Sequence, residues 1–509
     1  MLRKIRIVLA SIFFIAITLM LLDFTGTLHR YFAWMAKIQF LPAVMALNVG
    51  VIILLVLLTL VLGRVYCSVI CPLGIYQDIV SHLSSKRKGK KMRFTPSPEL
   101  KWLRYGVWVL FIACLIIGLQ PIVALLAPYS AWGRIVQSLF APLYQWGNNL
   151  FAAISARADS YAFYPKEVWL RSIGTLIVAA VTLIVITVLA FKNGRTYCNT
   201  ICPVGTTLSF FSRFSLLRPV INTEKCRDCH ACEKKCKASA INIKEHSVDY
   251  SRCVDCFNCI EDCKFGAMRY TFAYGKKKKG TVKAEAPAQV AKATQDKDGS
   301  DPGRRAFLIG GAIATTSLAL KAQDKKVDGG FADILPKVKP QRETPITPFG
   351  SKSVKDFYTR CTACQLCVSA CPNNVLRPST DLSRFMQPEM SYEKGYCRPE
   401  CVKCSEVCPA GAIRKITAQE KTAHHVGLAK YYKDLCVVTT DKVDCGNCAR
   451  HCPTGAIIMV KINPDAKNSL SIPAVDESRC IGCGACENLC PARPLSAIRV
   501  DGRQDHIIS

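Results

Sequence analysis

Acidic side chains, glycine-rich fingerprints and, over long stretches, charge of either sign are what this sequence lacks. Only 37 Asp+Glu stand against 67 Lys+Arg, a formal charge of +30 over 509 residues. No glycine-rich dinucleotide fingerprint is present, so a flavin or nicotinamide site of that type is not expected. Charge is missing altogether from Ile7–Leu22, Ala43–Leu62, Tyr105–Ala127 and Ser172–Phe191. A helix rises about 1.5 Å per residue, so about 20 residues cross a hydrocarbon layer about 30 Å thick. Three of the stretches reach that length; the first, at 16 residues, needs its flanks.

Basic residues give these spans an orientation. Arg64–Arg104 holds nine Lys/Arg, among them Lys86, Arg87, Lys88, Lys90 and Lys91, whereas Pro128–Arg171 holds four. Asp23–Phe40 holds two, Arg30 and Lys37, and the chain starts with Arg3, Lys4 and Arg6. This bias predicts a cytoplasmic N-terminus, a cytoplasmic Arg64–Arg104 loop and, after four spans, a cytoplasmic segment from Lys192. A repeat accompanies the spans. Gly63-Arg-Val-Tyr-Cys-Ser-Val-Ile-Cys-Pro-Leu-Gly74 matches Gly194-Arg-Thr-Tyr-Cys-Asn-Thr-Ile-Cys-Pro-Val-Gly205, 131 residues further on. Each copy closes a pair of spans at its cytoplasmic end, so the two units imply a pseudo-two-fold axis along the membrane normal.

Cysteine is abundant, with 29 in the chain, and 24 fall into six quartets. Two have the spacing C-x-x-C-x-x-C-x-x-x-C: Cys226, Cys229, Cys232, Cys236 and Cys253, Cys256, Cys259, Cys263. Four more follow: Cys361, Cys364, Cys367, Cys371; Cys397, Cys401, Cys404, Cys408; Cys436, Cys445, Cys448, Cys452; and Cys480, Cys483, Cys486, Cys490. Disulfide frameworks do not repeat this spacing, whereas [4Fe–4S] ferredoxins do, because three close thiolates wrap one face of a cubane and the fourth often serves its neighbour. Each of the last four quartets ends in Cys-Pro (Pro372, Pro409, Pro453, Pro491), while Lys237 and Lys264 replace that proline in the first two. The second and third of the last four are stretched, with three and eight residues in the first gap. Spacing leaves open which quartets exchange cysteines: neighbours, or first with fourth and second with third. Zinc is the rival for sets of four cysteines. Cys226-Arg-Asp-Cys229-His230 also fits a haem-attachment pattern, but it lies inside a complete quartet.

Six clusters of about −2 each would lower the chain's charge to roughly +18. The rest of the excess sits in loops beside apolar spans, which argues for membrane orientation and against nucleic acid. Cys67/Cys71 and Cys198/Cys202 form two C-x-x-x-C-P pairs that helical spacing puts on one face. Facing copies would assemble four sulfurs as a metal site, a small iron–sulfur site or a redox dithiol; the alternative is buried structural thiols. Cys114 reads as packing, and His424 and His425 as surface or local hydrogen-bonding residues.

The expected organisation is an α-helical membrane domain over 1–220, four spans in a two-fold repeat, and a cytoplasmic two-cluster ferredoxin over 221–275. A flexible linker, 276–303, then leads to a segment at 304–322. There Gly303-Arg304-Arg305-Ala-Phe307-Leu308 and a short apolar run resemble a twin-arginine export signal, cleaved or kept as a fifth membrane anchor. A Pro-rich spacer over 323–350 (Pro336, Pro340, Pro345, Pro348) precedes a four-cluster domain over 351–509, the ferredoxin modules being α+β.

In this ordered combination, residues 1–275 resemble the NapH/MauN family of quinol-dehydrogenase membrane components, and residues 303–509 the exported NapG/MauM ferredoxin-type partner. The nitrous-oxide-reductase regulator family shares the C-x-x-x-C-P motif. The departure is the fusion, since the two are usually separate chains. The resemblance implies a bacterial inner-membrane protein with a periplasmic last domain, an oxidoreductase subunit of the quinol-dehydrogenase type. It would oxidise (mena)quinol from the quinone pool and pass electrons through [4Fe–4S] clusters to a periplasmic reductase, of the nitrate-reductase type for example, or to a cytochrome partner. Asp23, His29 and Arg30 at the outer face are polar candidates for a quinol site. Two rivals are a maturation factor handling metal or thiol at Cys67, Cys71, Cys198 and Cys202, and a cytoplasmic polyferredoxin on a membrane base.

Overall fold

The computed structural model describes residues 1–23, 25–87, 99–157, 159–160, 163–274, 335–466 and 469–508. The linker at 276–303, the twin-arginine segment at 304–322 and the start of the Pro-rich spacer lie outside the described residues.

The first half is a helical bundle built twice. Its first unit comprises α1 (Leu2–Leu22), α2 (Thr27–Lys37), α3 (Phe40–Met45), α4 (Val49–Leu62), a π-helical turn (Tyr66–Ile70) and α5 (Pro72–Arg87). The second comprises α6 (Lys101–Ile117), α7 (Gln120–Leu126), α8 (Pro128–Ile135), α9 (Ala141–Arg157), α10 (Ile173–Asn193), α11 (Thr196–Thr200) and α12 (Pro203–Ser212), with a second π turn (Val136–Phe140) between α8 and α9. Among the described residues, α1 and α10 are long and apolar enough to cross a membrane, at 21 residues each. The short first stretch gains its length by running back through Arg3 and Arg6.

The expectation of four uninterrupted spans is not met. Ala43–Leu62 breaks at Leu47 (φ 52°), and Asn48 then caps α4 by accepting from the Val51 N–H at 3.3 Å. Tyr105–Ala127 breaks at Gly118 (φ 88°), and Pro121 restarts it in the first turn of α7. The resulting α4, at 14 residues, spans about 21 Å. Hydropathy registers the apolar run but not the turns inside it.

These breaks make paired excursions. The ends of α2–α3 touch the C-terminal module: Lys403 Nζ donates to Thr25 O at 3.2 Å, and Ala46 packs under Gly411. The turn between them lies at the cysteine motif, where Tyr66 Oη donates to Gln39 Oε1 at 3.0 Å. In the second unit Gly133 packs under Cys364, while Tyr197 Oη reaches Leu126 O at 3.5 Å. The turns at Gln39 and Ala127, which reach the motifs, are buried in protein, whereas the breaks at Leu47 and Gly118 are exposed. Large aliphatic side chains remain exposed along the outside, including Ile53, Leu54 and Leu57 of α4 and Ile177, Val181 and Val188 of α10.

Two α+β modules sit at opposite ends of the bundle. In the inner one, β1 (Leu217–Ile221) pairs antiparallel with β4 (Met268–Phe272) around a hairpin of β2 (Ile241–Asn242) and β3 (Ser247–Val248). It meets the start of α1 through Arg3–Glu261 at 2.5 Å. In the outer one, β5 (Leu376–Pro378) pairs with β6 (Pro388–Met390). There β7 (His424–Tyr431) and β10 (Ile498–Ile508) likewise enclose β8 (Ile457–Lys461) and β9 (Ser471–Val475). This module meets the start of α2, just beyond the far end of α1, through Ser369 Oγ and His29 Nε2, 3.4 Å apart. Cys114 packs with Leu41, Phe111, Val123 and Ala127, as expected for a plain core residue.

The two copies of the repeat close on each other through a glycine each. A Cβ on Gly74 would lie 2.2 Å from Cys67 O and 2.7 Å from Arg195 Nη1; on Gly205 it would lie 2.4 Å from Cys198 O and 2.7 Å from Arg64 Nη2. Gly74→Ala or Gly205→Ala should therefore cost about 1–3 kcal/mol, the range for overpacking, and lower the thermal midpoint in detergent. Gly106→Ala, whose Cβ meets nothing within 4 Å, should match or exceed the wild type.

Candidate cluster and membrane-cysteine sites

The C-x-x-C-x-x-C loops share one backbone path. The residues flanking the second cysteine are left-handed in each regular quartet: Asp228 and His230, Asp255 and Phe257, Ala363 and Gln365, Gly482 and Gly484. Six of these eight are not glycine, and each such residue costs about 1–2 kcal/mol in this region. Strain repeated at equivalent positions marks loops shaped for a ligand. The path turns the three sulfurs inward.

The fourth sulfur comes from the neighbouring quartet. Cys226, Cys229 and Cys232 share a hollow with Cys263. Cys397, Cys401 and Cys404 share one with Cys371, and Cys436, Cys445 and Cys448 share one with Cys490. The complementary sets are in electrostatic contact: Cys236 with Cys256 and Cys259, Cys408 with Cys361, Cys364 and Cys367, and Cys452 with Cys480 and Cys483. Neighbours therefore exchange cysteines, which resolves the choice that spacing left open. Among the described residues, no three cysteine sulfurs lie within 4.8 Å of one another. Backbone N–H groups point at the lent sulfurs: Ala240 N to Cys236 Sγ at 3.3 Å, Ala456 N to Cys452 Sγ at 3.3 Å, and Ala497 N to Cys490 Sγ at 3.4 Å.

Burial pushes the thiols up, Cys364 to about 11 and Cys483 to about 12. Their protons leave when a metal takes their place, so binding iron and losing protons are one event. Burial also raises Cys397, to about 11, against the opposing charge of Lys421. That lysine is buried and donates to Cys397 Sγ at 3.1 Å, Arg398 O at 2.5 Å and Cys401 O at 2.6 Å. Sequence reading missed it; its signal is the capping box of Thr417 and Glu420 that fixes the one-turn helix carrying it. His424 and His425 are not surface residues. Both are buried: His424 Nδ1 accepts from Gly350 N at 3.0 Å, and His425 Nδ1 contacts Cys480 O at 2.9 Å.

The four cysteines of the two C-x-x-x-C-P pairs do converge. Cys202 is in electrostatic contact with Cys198, Cys71 and Cys67, and all four are buried. Two arginines cross between the copies. Arg64 lies 3.9 Å from its own copy's Cys67 Sγ and donates to Cys198 O at 3.2 Å, Asn199 Oδ1 at 2.9 Å and Ser251 O at 2.8 Å. Arg195 lies 3.7 Å from Cys198 Sγ and donates to Cys67 O at 2.8 Å. The inner module reaches the motifs at Gly63, at Gly194–Arg195 and at Asn199, whose Nδ2 donates to Ala238 O at 3.3 Å. At the outer face, Asp23 is occupied with its own turn, accepting from Thr25 N at 2.8 Å, Gly26 N at 3.0 Å and Leu28 N at 2.8 Å. His29 lies 3.2 Å from Asp23 Oδ2, and Arg30 is exposed.

Exchanged cysteines in closed β ladders define an iron–sulfur, ferredoxin-type electron-transfer protein with [4Fe–4S]-binding domains. Comparison with known sequences agrees. A family described as a 4Fe-4S dicluster domain matches residues 360–437 and 443–493, and one described as a 4Fe-4S binding domain matches 44–91 and 174–222, around the two membrane cysteine pairs. Over 165 residues, 32% of this chain and 70% of the relative, the chain is 31% identical to the methylamine utilization ferredoxin-type protein MauM of Methylobacillus flagellatus. It is 29% identical to the ferredoxin-type protein NapG of Haemophilus influenzae (28% of this chain, 53% of the relative) and 26% identical to NapF of Escherichia coli K12 (34% and 96%). Through this third of its length the chain belongs to the MauM-type ferredoxin family. No solved structure matches.

Exchange has a genetic signature. Cys408→Ser and Cys361→Ser should each lower bound iron by about four atoms, and the double variant by about four again, since both serve one site. Cys408→Ser with Cys397→Ser should lose about eight. Lys421→Gln, which keeps the cysteines, should move one cluster's potential more negative in an EPR-monitored titration, because a cationic donor to sulfur favours the reduced state.

Proposed function

We propose that this chain is a membrane-bound electron carrier of the bacterial inner membrane. It takes electrons from a (mena)quinol and delivers them, through [4Fe–4S] clusters held by the 24 quartet cysteines, to a reductase or cytochrome in the periplasm. The observation that carries this reading is the placement of two cysteine-rich modules at opposite ends of a bundle with four buried cysteines between them. The α1 helix that joins those ends is about 31 Å long, the thickness of a hydrocarbon layer. The exposed aliphatic belt and the basic Arg64–Arg104 loop support burial in lipid with residues 221–275 on the cytoplasmic side and 351–509 outside.

Bound clusters would supply one-electron carriers on each side, and a redox-active metal or iron–sulfur site at Cys67, Cys71, Cys198 and Cys202 would divide the distance. Around that site the chain's own residues set the conditions. Arg64 and Arg195 hold positive charge beside the sulfurs, and Tyr66 and Tyr197 fasten the excursions that cover it. Tyr129 and Arg134 lie next, both in electrostatic contact with Cys364 of the outer module. The names of the relatives, ferredoxin-type proteins MauM, NapG and NapF, support the electron-carrying role.

Anaerobically purified protein should contain about 24 iron atoms per chain from six four-iron clusters, and a clear excess if the membrane cysteines hold a further site. It should oxidise a menaquinol analogue. Replacing Cys71 and Cys202 with serine should leave the inner clusters reducible while electrons no longer reach the outer ones. Outer-module cysteines inaccessible to a membrane-impermeant thiol reagent in spheroplasts would contradict the assignment of sides.

A further inference from the structure

Resting on the quinol reading, we infer that the quinol binds at the inner end of the bundle, in the cleft between α1 and α5, and not at the outer face. A cavity of about 500 Å³ lies there, a volume in the range of small-molecule sites. The hollows described above are far smaller, about 20 Å³ each, and are lined by the cluster cysteines themselves. This one is lined by none.

Its two ends differ in chemistry. The mouth is framed by Ile7, Ile15, Ile79 and Leu83, all exposed on the lipid-facing side of the helices. The floor is buried and polar, formed by Arg6, Asp78, Lys237 and Asn258. Asp78 there meets three cations: Arg6 Nη1 at 2.6 Å, Arg195 Nη2 at 2.9 Å and Lys237 Nζ at 3.2 Å. One carboxylate against three cations leaves excess positive charge, and Arg6 Nε, though buried, has no hydrogen-bond partner. An amphipathic molecule with an apolar tail and an oxygen-bearing ring suits both ends: ring oxygens take the spare donors, hydroxyl hydrogens face Asp78, and the tail leaves between the helices.

The floor is also continuous with a cluster loop. Lys237 follows Cys236, and Asn258 precedes Cys259, and both cysteines belong to the set completed by Cys253 and Cys256. Lys237 occupies the position where the last four quartets carry proline. A proline would have no ammonium to place beside Asp78. At this site a hydroquinone becomes a quinone by giving two electrons, singly, to the adjoining iron–sulfur carriers and two protons to water through the polar floor.

The test uses full-length, iron-loaded protein in detergent and the fluorescent quinol analogue 2-heptyl-4-hydroxyquinoline N-oxide. The wild type should quench about one equivalent per chain. Ala10→Trp, which fills the cavity from α1, should weaken binding at least tenfold with iron content and thermal midpoint unchanged. Ile79→Trp at the mouth should do the same and stands in if the buried substitution misfolds. Ile12→Trp, on an exposed part of α1 outside the cavity, should bind as the wild type does. Undiminished binding in both cavity variants, or loss on Asp23→Asn instead, overturns the inner site while leaving quinol oxidation intact. So does native mass spectrometry that finds a phospholipid there which the analogue does not displace. Absence of both binding and menaquinol oxidation in the wild type overturns the quinol reading and this inference with it.

Discussion

The reciprocal crossing of Arg64 and Arg195 holds this molecule together. Each guanidinium is fully buried and reaches past its own cysteine to a carbonyl of the other copy, and Gly74 and Gly205 leave the room it needs. A buried cation must be fully hydrogen-bonded or strongly paired. Arg64 is held by the second copy's Cys198 carbonyl and the inner module's Ser251 carbonyl, and Arg195 by Asp78 and the Cys67 carbonyl of the first copy, so Arg64 ties both halves of the bundle to the inner ferredoxin. Folding of the helical bundle and docking of the inner module are thereby linked.

The outer module is fastened by different means. Its contacts with the bundle include the excursions of α2–α3 and α7–α8, whose other ends are tied to Tyr66 and Tyr197, and the approach to α10, where Arg171 donates to Val368 O and Lys394 pairs with Glu167. Each tyrosine therefore links the sulfur motif to the outer module through one short helical hairpin. Arg64 and Arg195 lie directly beside the sulfurs of Cys67 and Cys198, which suits a site whose sulfurs are to be anionic.

Much of this was legible in the sequence because iron–sulfur ligation is local. Three sulfurs within seven residues fix a loop whatever surrounds it, so the quartets, the α+β modules and the repeated Gly-Arg-x-Tyr-Cys motif could all be read from spacing. What spacing does not carry is tertiary. The exchange of Cys371 with Cys408, and of Cys452 with Cys490, depends on which loops the β ladders bring together. The breaks at Leu47 and Gly118 are invisible to hydropathy, because the residues on either side are equally apolar. Lys421 and Asp78 sat among ordinary charged residues and gained meaning only from what they touch. The outer-face candidates Asp23 and His29 were polar residues in an apolar context, and that context proved to be a turn and a docking contact.

The lending of cysteines between neighbouring loops carries a consequence for biogenesis. A loop that keeps three sulfurs and gives away its fourth cannot be completed while its neighbour is unfolded, and the neighbour stands in the same debt. Both neighbouring loops must therefore be in place before either cluster has its four sulfurs. A defect in the lent cysteine of one loop is read out in its neighbour's cluster and not in its own.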